Sequence, residues 1–132
     1  MKHIEVVAAV ITEGDKFLIT QRVGGQFDGM WEYPGGKIES GESHHEALKR
    51  EIKEELDVEI GVDKFLATIT YPYETFHLTM HLYYSHVISG ELTLNEHASM
   101  RWINLDEAKN IYWVPADVQV LELIEQSGYF RR

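Results

Sequence analysis

Glu51, Glu54 and Glu55 follow Arg50 in a segment whose apolar residues Leu48, Ile52 and Leu56 recur every fourth position. At about 100° per residue that spacing makes one helical stripe. The three carboxylates fall on the arc beside it, near where such a helix meets the protein body. Like charges one turn apart repel by a few tenths of a kcal/mol when exposed, and more when partly buried. Arg50 offsets Glu54 at i,i+4, but one guanidinium does not neutralise three carboxylates, and Glu42 adds a fourth just upstream. Hard oxygen ligands gathered in this way, in a chain without cysteine, suit Mg²⁺ or Mn²⁺. An isolated E-x-x-E-E is also what a solvated acidic helix face looks like, so the surrounding residues must decide.

Just upstream, Tyr33-Pro34-Gly35-Gly36-Lys37 places two glycines, whose backbone can approach a ligand closely, beside a lysine. From Gly36 the chain reads Gly36-x5-Glu42-x7-Arg50-Glu51-Ile52-x-Glu54-Glu55-x-Asp57-Val58. Residues 36–58 thereby resemble the Nudix hydrolase signature, G-x5-E-x7-R-E-U-x-E-E-x-G-U with U aliphatic. The one departure is Asp57, where the family has glycine. Aspartate tolerates the left-handed conformation better than most residues, so the helix end is expected to survive. Residues 4–11, Gln21-Arg22, residues 31–37 and Val114-Pro115-Ala116-Asp117 extend the likeness to the MutT-type branch, and within it to members acting on CTP and on oxidised nucleotides.

That resemblance implies an α+β Nudix fold, an αβα sandwich around a mixed β-sheet with the signature forming a loop–helix–loop. It implies Mg²⁺-dependent hydrolysis (Mn²⁺ serving as well) of a nucleoside triphosphate to monophosphate and pyrophosphate, with metal-activated water as nucleophile. Position by position, Glu51, Glu54 and Glu55 would bind metal with the carbonyl of Gly35, Arg50 would orient the glutamates, and Glu42 would support them. Glu96 would serve as base or further metal ligand. Arg22, Gly36 and Lys37 would contact the phosphates, and Tyr33, Tyr73 and Asp117 would line the base pocket. An ionised Asp117 offers only acceptors and suits a guanine-type edge; a protonated one could donate to cytosine N3 while accepting from its amino group. A helix-entry Asp117 that never touches a base stays open beside both.

The elements that must position these residues can be read from the pattern. Residues 4–12 and 16–22 suggest a hairpin about Glu13-Gly14-Asp15, and a glycine-bearing loop leads to Trp31. Ser43-His44-His45-Glu46 has the capping-box form, which starts a helix ending near Leu56. Val58, Ile60 and Val62 alternate, as do Phe65, Ala67, Ile69 and Tyr71, predicting two strands. A long strand over 76–88, a short one over 100–103, a brief helix from Asn104 and a last helix with Pro115 in its first turn, ending near Gly128, complete the set. Strands without strict βαβ alternation make an α+β domain.

Composition bounds the rest. With 132 residues, 44% of them hydrophobic, the chain fits one domain over 1–132 with an ample core. Twelve Lys+Arg against 22 Asp+Glu give −10, which argues against duplex DNA, RNA or an anionic membrane as a partner. A triphosphate substrate therefore needs divalent cations to mediate its approach. Without cysteine there are no disulfides, thiolate nucleophiles or cysteine–zinc sites. The apolar run 6–11 after Lys2 is too short for a signal peptide, so a soluble, cytoplasmic protein, monomer or homodimer, is expected.

Among the seven histidines, His77-x3-His81 has metal spacing but lies in a strand, where a pair on the sheet surface is the simpler reading. His44 and His45 are expected to face solvent, and Trp31, Trp102 and Trp113 to be core or rim. Beside the triphosphate hydrolase stand two rivals: a hydrolase of a nucleotide sugar or dinucleotide, and a weakly catalytic nucleotide-binding regulator. The latter would be expected to lack signature carboxylates, and here all are present.

Overall fold

The computed structural model describes residues 1–130. In chain order the elements are β1 (Lys2–Glu13), β2 (Lys16–Gln21), β3 (Trp31–Glu32), β4 (Gly35–Lys37), α1 (His44–Leu56), β5 (Glu59–Pro72), β6 (Phe76–Ser89), β7 (Ser99–Ile103), α2 (Leu105–Ala108) and α3 (Val118–Ser127), the last preceded by a 3-10 turn, Pro115–Asp117. Both edges of β1 are used. One pairs in parallel with β6, from Lys2↔Phe76 to Ile11↔Ser85. The other takes β4 antiparallel at Val6–Ala8 and then β2 through the hairpin. Strands β5 and β6 form an antiparallel pair, and β3 and β7 flank β2. The sheet is therefore mixed, as expected.

The near-continuous apolar run of β1 follows from burial on both faces. Val7, Ala9 and Ile11 pack with Leu48, Ile52 and Leu56 of α1. Ala8 and Val10 pack on the opposite face with Val120 and Ile124 of α3. The three stripe residues of α1 are wholly buried, each contributing about 1.5–3 kcal/mol of transfer free energy. This is the αβα sandwich that the sequence pointed to. Among the described residues, no helix is long and apolar enough to cross a membrane.

The ends of α1 are fixed as the sequence proposes. Ser43 accepts from the Glu46 N–H at 3.1 Å, and the Glu46 carboxylate accepts from the Ser43 N–H at 2.9 Å. Asp57 adopts φ 57°, ψ 33°, and its N–H closes on the Lys53 carbonyl, so aspartate does carry the left-handed cap.

Three features differ from expectation. The two strands read over 58–71 are one strand, β5, interrupted by register shifts at Val62/Lys64 and Phe65/Ala67. Its buried residues move from Ile60, against α1, to Ile69, against the other face, because successive halves of the strand lie under different helices. The run 31–37, to which the sequence pattern assigns no element, holds two short strands. His44 does not face solvent: its Nδ1 lies 2.9 Å from the Tyr83 hydroxyl, on the sheet.

Candidate active site

The paired glycines are explained by contact rather than by unusual torsions. A Cβ on Gly35 would strike the Val7 carbonyl and the Ala8 Cα of β1; one on Gly36 would strike the Glu51 carboxylate. Both glycines thus let β4 lie between the first strand and α1, with Glu51 resting against bare backbone.

Arg50 organises the carboxylates about it. Its guanidinium donates to both oxygens of Glu42 (2.6 and 2.8 Å), to Glu51 (2.8 Å), to Glu54 (3.0 Å) and to the Lys37 carbonyl (3.0 Å). This ties α1 to β4 and to the loop between them. The Arg50 guanidinium and the Glu39 N–H together pull the Glu42 carboxyl down to about 2.

Glu55 behaves in the opposite way. It is 4% exposed, and its Oε1 has no hydrogen-bond partner among the described residues. Burial first, then the charges of Glu32 and Glu51, push its carboxyl up to about 10. A buried carboxylate with an orphaned oxygen and further carboxylates around it is a site that lacks positive charge. A hard divalent cation fits that donor set.

Glu51, Glu55, Glu96, Lys37 and the Gly35 backbone line a groove of about 490 Å³. Glu54 is not among the described residues that line it: its side chain is 47% exposed and, among those residues, bonds only to Arg50. Glu96 is brought over the groove because the loop after β6 is stitched to the end of α1. Asn95 donates its backbone N–H to the Glu55 carbonyl (3.1 Å) and its side chain to that of Glu54 (3.0 Å).

A second cavity, of about 320 Å³, adjoins the groove and is largely apolar. Val6, Phe27, Tyr73, Leu78, Met80 and Val114 contribute its apolar and aromatic surface, with Asp117 among them. Tyr33 lines it from the core, its ring stacked 4.9 Å from that of Trp113 and its hydroxyl buried without a partner among the described residues. Asp117 is 4% exposed and makes no cap to α3; its Oδ2 instead accepts from the Tyr33 backbone N–H at 2.9 Å. Burial, with the charge of Glu32, holds the Asp117 carboxyl well above the usual carboxylate range. Tyr73 accepts from the Ala116 N–H at 3.0 Å, and burial raises its hydroxyl to about 12.

Arg22, Glu32, Gly35 and Lys37 line both the cavity and the groove. Glu32 and His97 are the members that sequence reasoning missed. Glu32 accepts from Arg22 at 3.2 Å and bonds His97 Nε2 at 2.8 Å; the His97 side chain is 8% exposed. Glu32 adjoins Tyr33 and His97 adjoins Glu96, but spacing alone gives no sign that β3 and the loop after β6 converge.

A loop–helix–loop of this geometry on a mixed sheet defines a class, and the comparisons agree. The NUDIX domain model matches residues 1–124, and the chain belongs to the Nudix hydrolase family. It is similar to the CTP pyrophosphohydrolase of Escherichia coli K12, 40% identical over 126 residues that cover 92% of this chain and 91% of that one. It is also similar to the putative 8-oxo-dGTP diphosphatase 2 of Mycobacterium tuberculosis, 36% identical over 85% of this chain and 81% of that one. The solution structure of the E. coli ORF135 protein superposes with TM-score 0.85 at 35% identity, covering 99% of this chain and 94% of that one. A MutT NUDIX hydrolase from Burkholderia pseudomallei shares the fold at TM-score 0.83 and 24% identity, over 94% and 99% of the two chains.

Proposed function

We infer that this Nudix hydrolase converts a nucleoside triphosphate and water to the monophosphate and pyrophosphate, with Mg²⁺ bound at Glu51, Glu55 and the Gly35 carbonyl, and with CTP-like substrates preferred. The observation that carries the reading is the shared wall of the two cavities. An apolar, aromatic recess meets an acidic groove along Arg22, Glu32, Gly35 and Lys37, which suits a flat base with a phosphate tail.

Each residue then has a stated task. Glu55 and Glu51 gather positive charge, and Arg50 holds Glu51 at the mouth of the groove while pinning β4 to α1. A bound divalent cation supplies Lewis acidity and an acidified water there. Lys37, whose ammonium has no ion pair among the described residues, and Arg22 meet charge on the non-bridging phosphate oxygens. Glu96, exposed over the groove and unpaired among the described residues, accepts the proton that the attacking water loses. Glu54, held by Arg50 on the same helix, would supply a further carboxylate to the bound cation.

The base assignment rests on Asp117. A carboxyl kept protonated by burial presents an O–H to the cavity while its other oxygen takes the Tyr33 N–H. That O–H can donate to cytosine N3. A guanine-type edge requires the ionised form, which burial disfavours; the likeness to an 8-oxo-dGTP diphosphatase keeps it as the second reading. A panel of CTP, 8-oxo-dGTP, a nucleotide sugar and a dinucleotide, assayed with Mg²⁺ for pyrophosphate against phosphate release, tests both. Pyrophosphate released fastest from CTP is the expected result; turnover confined to the diphosphate-linked substrates overturns it.

A further inference from the structure

His81 finds its metal-ligating company across the sheet and not along its own strand. Its Nε2 lies 2.6 Å from Oε2 of Glu5 on β1, and its Nδ1 lies 2.8 Å from the Thr68 hydroxyl on β5. From the first turn of α1, His44 lays its ring on that of His81, centroids 4.1 Å apart, with its own Nδ1 on the Tyr83 hydroxyl. One ligand atom from each of Glu5, His44 and His81 falls within 4.8 Å of the others. Ligand atoms about 2.1 Å from one tetrahedral zinc ion stand about 3.4 Å apart, so side-chain rotations that draw the three atoms inward close the set. None of the three lines the groove or the recess described above.

We propose that Glu5, His44 and His81 form a second metal site, separate from the catalytic carboxylates, that takes Zn²⁺ or a similar late transition-metal dication. The chemistry of the donors separates the two sites. Two imidazoles and one carboxylate favour zinc-like ions, whereas the groove offers the oxygen ligands that hard Mg²⁺ prefers. Both histidines have Nδ1 held by a hydroxyl, the arrangement that fixes tautomer and ring direction in metal-ligating histidines. A hydroxyl can accept as well as donate, so Thr68 and Tyr83 serve whichever tautomer the ion selects. At His81 the ion replaces the proton shared with Glu5. The site joins β1, β6 and the start of α1, so its ion staples the helix that carries Arg50, Glu51 and Glu55 to the sheet.

The test is a Zn²⁺ titration of chelator-stripped protein in excess Mg²⁺, read by a chromophoric competitor, by thermal melting and by the nitrogen resonances of the histidine rings. One Zn²⁺ per chain, a raised Tm and joint shifts of the His44 and His81 ring signals are expected. His44→Gln and His81→Gln should each abolish saturable binding, and Thr68→Val should weaken it about tenfold. The ring signals are read on the natural chain, so the result stands even if a variant folds poorly. Unmoved His44 and His81 signals at saturating Zn²⁺ overturn the proposal. So does binding that survives the double histidine variant and disappears with Glu55→Gln, which would place the ion in the groove.

Discussion

The backbone N–H of Tyr33 donates to Oδ2 of Asp117 at 2.9 Å, joining the segment before the paired glycines to the turn before α3. Two backbone bonds support that junction: Trp31 N–H to the Tyr112 carbonyl and Val114 N–H to the Trp31 carbonyl, each 2.9 Å. Asp117 is therefore placed by the recess rather than by the helix it precedes.

Replacing Asp117 by Asn keeps the Tyr33 contact through the amide oxygen and turns a permanent N–H donor toward the recess. The ratio of kcat/KM for CTP over 8-oxo-dGTP should rise about tenfold, or ~1.4 kcal/mol. Turnover of CTP by the natural chain should fall as pH rises through the raised pKa of Asp117, whereas the variant should show no such fall. Equal losses on both substrates would make Asp117 purely structural and pass the base-reading role to Tyr73.

Glu55→Gln removes the carboxylate that would ligate the cation and keeps the shape. Turnover should drop on the order of 10²-fold or more, about 2.7 kcal/mol. The metal-free protein should respond in the opposite sense. A carboxyl raised from 4.5 to about 10 by folding contributes stability in full below pH 4.5, and loses it as pH climbs toward 10. Metal-free Tm should therefore decline across that window in the natural chain and stay flatter in the variant, with Mg²⁺ restoring the natural chain. Thermal melts at several pH values, with and without Mg²⁺, check both halves; full activity in the variant rejects the metal assignment.

Lys37→Ala separates two kinds of phosphate contact. If the ammonium meets charge that grows in the transition state, kcat should fall and KM change little. Steady-state kinetics on CTP decide it, since a raised KM with kcat intact would describe ground-state binding alone.

Arg50→Lys keeps one positive charge and forfeits the fork that reaches Glu42, Glu51, Glu54 and the Lys37 carbonyl together. The Mg²⁺ concentration for half-maximal rate should rise several-fold and kcat should fall. An unchanged Mg²⁺ requirement would show that Glu51 is positioned without Arg50.

What the sequence made legible follows from the range of each signal. The capping box at Ser43, the stripe Leu48–Ile52–Leu56 and the left-handed Asp57 are local patterns set by near neighbours, and all three appear as read. The 58–71 region misled because burial changes face along one bulged strand, and a change of phase looks like a break. Glu32 and His97 stayed hidden because their partnership joins residues 65 apart. The partner that draws His44 onto the sheet, Tyr83, is equally remote in sequence, 39 residues on.

The parallel pairing of β1 with β6 also sets an order of assembly. The signature segment is complete once residue 58 is made, yet its scaffold strand β1 has no partner on that edge until residues 76–89 exist. Contacts of such long sequence separation impose a loop-closure cost before they are rewarded, which slows folding. An emerging chain thus carries the signature carboxylates for a time with only the β1, β2 and β4 part of the sheet to hold them, and before Glu96 has been made. Fragments ending before β6 should bind no metal, and the exposed apolar edge of β1 is where a folding chaperone or a second unfinished chain would first make contact.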